Sequence, residues 1–285
     1  MANVRIIQQR IRSIKNTEKI TKAMEMIATT KMRRAQERVL ASRPYSEKML
    51  RVVAHLASEI SEAEHVHPLL ENRPVHRIAV VHIASDRGLC GGFNSNINKD
   101  SAGFLLEQSV PVVLITIGRK GSDFMHRYGR DIQADFTGIT DCPELVDSLP
   151  ISRIVIDDYI KGIVDQVYLA YTRFVSTAVQ RPALQQLLPV EPLVEMEQGN
   201  VEYIYEPSKK VVLGELLPRF VEMQVYHALL ESVASEQSAR MMAMRNATEN
   251  ASELIDGLTL TYNKARQEAI TKELLDITGG VEAMA

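Results

Sequence analysis

The stretch Met241–Ala269, MMAMRNATENASELIDGLTLTYNKARQEA, decides the fold. Within it Met241, Met244, Thr248, Ala251, Ile255, Leu258, Tyr262, Ala265 and Ala269 recur in alternating steps of three and four, and only Thr248 is polar. A 3-4 spacing held for four heptads is the seam of a coiled coil. No proline occurs from Arg219 to Thr278, and Gly257 is the only glycine before Gly279 in that span. A helix of about 60 residues, roughly 90 Å at 1.5 Å per residue, is therefore permitted, longer than a compact domain of a chain this size can contain. Ser208, after Pro207, is the expected N-cap of this C-terminal helix. Pro218 should kink or restart it, and Gly279-Gly280 should end it.

The other end of the chain has the same character. Val4, Ile7, Ile11 and Ile14, then Thr21, Met24, Ala28, Met32, Ala35 and Val39, trace a second stripe, interrupted around Thr17 or Glu18, Thr21 and Lys31, with no proline before Pro44. Residues 1–60 carry 13 Lys or Arg against 5 Asp or Glu, whereas residues 190–285 carry 8 against 16, so the net charge of -3 conceals two oppositely charged ends. One helix opens the chain and the other closes it, which favours an intramolecular antiparallel pair; heptads alone are equally compatible with a parallel dimer of separate chains. Each arm is too polar around its circumference to be expected inside a globule. Small residues (Ala23, Ala28, Ala35, Ala247, Ala265, Ala269) let two helices approach closely. That fits a chain that is 45% hydrophobic yet only 5% aromatic, with 12 Met and no Trp.

Between the arms the pattern changes. Ile78–Ala84 (IAVVHIA) and Val112–Ile117 (VVLITI) are short β-branched runs without alternation, as strands buried on both faces are. A helix-compatible stretch, 95–107, lies between them and makes a βαβ unit. A helix over 144–162 leads to a strand at 166–177, a last strand is expected at Val201–Tyr205, and the proline-bearing 181–199 reads as loop. The expected fold is α/β: a long antiparallel coiled coil (1–60 and 209–285) plus a small doubly wound, Rossmann-like domain over 75–206. No run of 18 uncharged apolar residues occurs. Two cysteines, Cys90 and Cys142, make no disulfide framework, and no signal-type segment opens the sequence, which implies a reducing, non-secreted location.

Several segments invite chemistry. Ser85-Asp86-Arg87-Gly88-Leu89-Cys90-Gly91-Gly92-Phe93-Asn94 follows the first strand directly, and a glycine-rich turn between strand and helix is where phosphates are cradled. The spacing is not G-x-G-x-x-G, and no G-x-x-x-x-G-K-[ST] occurs in the chain, so Gly88, Gly91 and Gly92 read as a tight structural turn. Cys90 with His82 lacks an orienting third group. His55, His65, His67, His76 and His82 lack a ligand spacing. The basic residues of the first arm are spread around the helix with no groove-reading motif, which argues against nucleic acid. On residues alone two further readings stay open: a nucleotide-binding α/β enzyme with a coiled-coil oligomerisation stalk, and a nucleic-acid-binding coiled coil.

Three segments together carry a resemblance: Asn16-Thr17-Glu18-Lys19-Ile20-Thr21-Lys22-Ala23-Met24, then Ser85-Asp86-Arg87-Gly88-Leu89-Cys90-Gly91, then Tyr262-Asn263-Lys264-Ala265-Arg266-Gln267 followed by Ile270-Thr271-Lys272-Glu273. In this order, over essentially the whole chain, the sequence resembles the γ subunit of the F-type ATP synthase. One position departs, since the family's terminal Gly-Ala is Gly280-Val281 here.

The resemblance implies a rotor shaft. Its two helices would stand inside a hexamer of α and β subunits, and its α/β domain would lie against the ε subunit and the membrane c-ring. One copy per complex would sit peripherally on the cytoplasmic side of the cell membrane, without catalysis, cofactor or nucleic acid. The absence of a cysteine-bearing insertion argues against the thiol-regulated chloroplast type. Residue by residue, Met24 falls at a position facing a β-subunit loop. Arg240, Arg266, Gln267, Thr271 and Glu273 fall at positions associated with rotor coupling or the β-subunit catch. Without the resemblance all six read as residues on the solvated flank of a coiled coil. The apolar tip (Leu274, Leu275, Ile277, Val281, Met284) would be a bearing surface.

Overall fold

Strands β1 (Ile78–Ile83) and β2 (Val112–Ile117) lie side by side in parallel, from Ile78 opposite Val112 to Ile83 opposite Ile117. In this computed structural model, which describes residues 2–59, 67–139, 143–190, 205–206 and 208–282, they are the centre of a five-stranded sheet of order β3-β2-β1-β4-β5. β3 (Ile132–Phe136) pairs parallel to β2, β4 (Gln166–Phe174) pairs parallel to β1, and β5 (Gln180–Leu188) returns antiparallel along β4. Helices α2 (Phe93–Glu107) and α3 (Arg119–Arg127) cover one face, where Ile97, Leu105 and Met125 pack with Val80, Leu114 and Ala170. α4 (Leu145–Ile160) covers the other, where Ile151, Val155 and Tyr159 pack with Val81, Ile115 and Leu169. Alternate residues of β1 thus point to opposite apolar layers, which explains its lack of polar alternation.

The chain divides into two compact units, one of Thr29–Ala239 and one of Met1–Ala28 with Arg240–Ala285. The two long helices, α1 (Ala2–Glu59) and α5 (Lys209–Glu282), contribute to both. In the α/β unit, Met49, Val53 and Leu56 of α1 and Leu213, Leu217, Phe220, Val221 and Val225 of α5 join the α4-side core. After them every residue from Glu231 to Ser238 is buried, most of them polar. There Ser235 donates to the Thr172 carbonyl (3.0 Å) and Ser238 to that of Thr177 (2.7 Å), so serine hydroxyls return to backbone at the β4–β5 hairpin.

In the helical unit the burial follows the heptads. From Glu249 to Thr271 the only residues not exposed are Ala251, Ile255, Leu258, Tyr262, Ala265 and Ala269. On α1 the interruption is filled by half-buried Glu18, while Thr17 and Ala23 are exposed. Thr21 and Thr248, a polar member of each stripe, meet with their hydroxyl oxygens 2.8 Å apart. The two helices form the antiparallel coiled coil.

Five local expectations are corrected. α5 continues past Gly279-Gly280 to Glu282, and of the kink or restart expected at Pro218 the restart does not occur. Residues 181–188, expected as loop, are strand: β5 is an edge, the position in a sheet where Pro182, which has no N–H to give a ladder, is tolerated opposite Thr172. β4 stops at Phe174, short of 177. α3 and β3 complete a second crossover that short polar runs concealed. The inner part of α5 is enclosed despite its polar circumference, because the hairpin supplies partners for its hydroxyls. The strand expected at Val201–Tyr205 lies, but for its last residue, outside the described residues, as do Cys142, His65, Met284 and the loop beyond Val190. Ser208 precedes α5 as its cap, its hydroxyl accepting from Val211 N at 3.4 Å.

Candidate functional site

Six residues were singled out on the helices, and their surroundings differ. Met24, on the α1 stripe between Thr21 and Ala28, is half-buried. Arg240, one turn before buried Met244, is itself buried at 9% exposure, so it does not sit on a solvated flank. Arg266, Gln267, Thr271 and Glu273 are exposed. Gln267 and Thr271, one turn apart, line a surface depression of about 470 Å³ with Lys264, Glu268, Lys272 and Leu275. Leu275, at its edge, and Leu274 and Ile277 are 64%, 58% and 63% exposed, large aliphatic groups without cover among the described residues.

The glycine turn after β1 lies where ligands of doubly wound sheets bind, at the carboxyl ends of the strands where β1 and β4 connect in opposite directions. Here protein atoms occupy it. Ser85 is fully buried; its N–H donates to Asn94 Oδ1 (3.1 Å) and its hydroxyl to the Arg87 carbonyl (2.6 Å). Asn94 Nδ2 donates back to Ser85 Oγ (2.8 Å) and to Cys90 Sγ (3.2 Å). Asp86 accepts from two neighbouring loops, Arg119 N at 3.1 Å and Gly138 N at 3.0 Å, so one carboxylate ties together the ends of β1, β2 and β3. The glycine dihedrals are only partly where the sequence placed them. Gly91 has φ +57°, but Leu89 takes +62° and Gly88 needs no such conformation.

His82, mid-strand on β1, faces Ser101 Oγ through Nδ1 and Asn98 Oδ1 through Nε2, both at 2.9 Å. Complete burial lowers its pKa to about 4, against the raising effect of the Asn98 bond. It is neutral at physiological pH and sits among amide and hydroxyl partners. Among the described residues no three His, Cys, Asp or Glu side chains converge as a metal site.

These non-local contacts were missed from the sequence. So was the Arg73 clamp, whose guanidinium lies 4.4 Å over the Tyr159 ring and 3.3 Å from Asp165. Gly118 was missed too: its φ of +93° at the end of β2 could have been suspected only from a glycine following a buried strand.

Comparison with known proteins places the chain. The family model described as ATP synthase matches residues 3–284. The ATP synthase gamma chain of Dehalococcoides mccartyi is 60% identical over 285 residues, with both chains covered completely. Among solved structures, the chain is similar to one from the central stalk and c-ring of the Tetrahymena thermophila mitochondrial ATP synthase. That match has TM-score 0.61 and 27% identity, and covers 80% of this chain and 99% of that one. A chain of the Euglena gracilis mitochondrial ATP synthase shares the fold, with TM-score 0.69 at 21% identity over 99% of this chain and 95% of the other.

Proposed function

The chain belongs to the ATP synthase gamma-chain family and has its central-stalk role, and we propose that it fills this role as a mechanical part with no chemistry of its own. In this reading the coiled coil stands within a hexamer of α and β subunits, and the α/β unit meets the ε subunit and the c-ring. Proton-driven rotation then presents different faces of the helices to each catalytic β subunit in turn. A partner's conformational equilibrium shifts only as far as its contacts differ between states. A helix pair with distinct faces supplies such differences; a featureless rod would not.

The observation that carries the reading is the uncovered stripe at the end of α5. Exposed Leu274, Leu275 and Ile277 lie beside Arg266, Gln267, Thr271 and Glu273, a surface of the kind that marks protein contact. Arg266 is suited to charge-assisted hydrogen bonds with a partner carboxylate. The absence of catalysis is supported by the turn after β1, where Ser85, Asp86 and Asn94 occupy the crevice a nucleotide would need. Among the described residues no helix is long and apolar enough to cross a membrane, so attachment to the cytoplasmic side of the membrane would run through partner subunits.

The test is made in the reconstituted complex. Met24→Lys places a charge on a half-buried stripe position, adding an interaction that has to be broken at each step. Protons pumped per ATP hydrolysed should fall while hydrolysis continues, and an unchanged ratio overturns the assignment of Met24 to coupling.

A further inference from the structure

We propose that the groove between α2 and α3 is a docking site for an acidic, amphipathic helix of a partner protein. The groove has a volume of about 780 Å³ and lies on the sheet face opposite α4. Its lining on α2 recurs at Asn94, Asn98, Ala102 and Leu106, one residue per turn along the whole helix; on α3 it recurs at Lys120 and Phe124 and continues to Tyr128, the residue that caps the helix. The first series spans about 18 Å at 1.5 Å per residue, the length of three helical turns. An occupant is therefore elongated. It is not an added strand, since no strand residue lines the groove.

The floor is built for close approach. Ala102 and Gly103 are small, and a Cβ built on Gly103 meets nothing within 4 Å. At one end stand Leu106, 74% exposed, and Tyr128, 65% exposed, with the Phe124 ring tilted against that of Tyr128, centroids 4.7 Å apart. An apolar helix face laid into a groove uses such anchors.

The flanks give the partner's charge. Lys99, Lys120, Arg127 and Arg130 line the groove against a single acid, Asp123. None of the four has an ion pair among the described residues, although Arg33, Arg73, Arg77, Arg219 and Arg245 all do. A row of unpaired cations beside exposed aliphatic and aromatic groups complements a helix with one apolar and one acidic face. A bilayer surface fits less well, because beside exposed Leu106 and Tyr128 the lining includes buried Met125 and half-buried Ala102, which a flat surface does not reach.

The test uses the assembled complex, with a photo-crosslinking residue in place of exposed Leu106 and the crosslinked segment mapped by mass spectrometry. The expected product is an acidic amphipathic helix. Its yield should fall on the order of tenfold when Lys99→Glu and Arg127→Glu are introduced together, and should be unchanged by Lys161→Glu on the far side of the unit. The proposal is overturned by any other product: lipid, a second copy of this chain, a non-helical or basic segment, or no product. Yield insensitive to the charge reversal overturns it equally. Proton pumping per ATP in the same complexes reads the central-stalk function separately.

Discussion

The helical unit and the α/β unit achieve order by different means. In the helical unit, burial is a narrow stripe: Ala251, Ile255, Leu258, Tyr262, Ala265 and Ala269 are covered while every residue between them is exposed. Which residues are covered there is set by spacing along each helix, although the contacts themselves, such as Thr21 with Thr248, join the two ends of the chain. In the α/β unit the decisive contacts join residues far apart in sequence, such as Asp86 with Gly138 and Arg73 with Asp165. The first kind of order tolerates local change, because each heptad contributes a little. The second fails at single points.

Glycine substitutions should separate the two units most sharply. Gly118 has φ +93°, and a Cβ there would lie 2.2 Å from the Ala84 carbonyl oxygen. Backbone would have to move, so Gly118→Ala should cost more than about 4 kcal/mol and abolish cooperative unfolding of the α/β unit. Gly257, in the middle of α5, has nothing within 4 Å of its built Cβ. Gly257→Ala should instead stabilise the coiled coil by about 1 kcal/mol through helix propensity. Denaturant titrations of the two variants giving effects of the same sign would break the comparison.

Acid should distinguish the units next. The unfolded chain protonates His82 near its ordinary pKa of 6.5, whereas the buried side chain resists until about 4. Between those pH values the unfolded state binds more protons, so stability falls as pH falls from 6.5 to 4 and this contribution then levels off. The loss amounts to roughly 3 kcal/mol from this one group. His82→Gln keeps a hydrogen-bonding side chain against Asn98 and Ser101 but cannot titrate. Its unfolding free energy should be flatter over that window; an unchanged slope would show that other groups carry the acid sensitivity.

The same difference explains what could be read in the chain. The seam was legible down to individual positions because a heptad writes its contacts into local spacing, and β1, β2 and the helix between them were legible from β-branched runs and length. α3 and β3 were not: a short helix and an edge strand with half-buried alternation, Ile132 to Phe136, resemble any polar stretch. β5 was misread because Pro182 signals a loop unless the strand is known to be an edge. The glycine turn was located correctly, but its closure by Asp86 depends on segments 33 and 52 residues away, which no local pattern encodes. The six residues proposed for rotor coupling were singled out through resemblance alone. Exposed Arg266 and Gln267 have no feature of spacing or composition to set them apart from ordinary flank residues, and Arg240 differs only by its burial.

The smallest effect lies where the helical unit departs from its own rule, at the Thr21–Thr248 pair. Thr21 Oγ1 lies 3.0 Å from the Glu18 carbonyl, Thr248 Oγ1 lies 2.8 Å from that of Met244, and the two hydroxyl oxygens are 2.8 Å apart. Two hydroxyl protons cannot serve three bonds. Geometry favours Thr248 donating to Met244 while Thr21 donates across to Thr248, which leaves the longer Glu18 contact unmade. Thr21→Val then removes the interhelical donor, and Thr248→Val removes its acceptor. Either change alone should cost about 1 kcal/mol, because a half-covered hydroxyl loses its partner. The double Val variant should be less destabilised than the sum of the two, or even more stable than the native chain, since two apolar groups of the same shape replace a pair that was only partly satisfied. What it would lose is a paired polar layer that helps to distinguish this register from a slip by one heptad. A double-mutant cycle by thermal unfolding measures the coupling; strict additivity would mean that Ala, Ile and Met spacing alone sets the register.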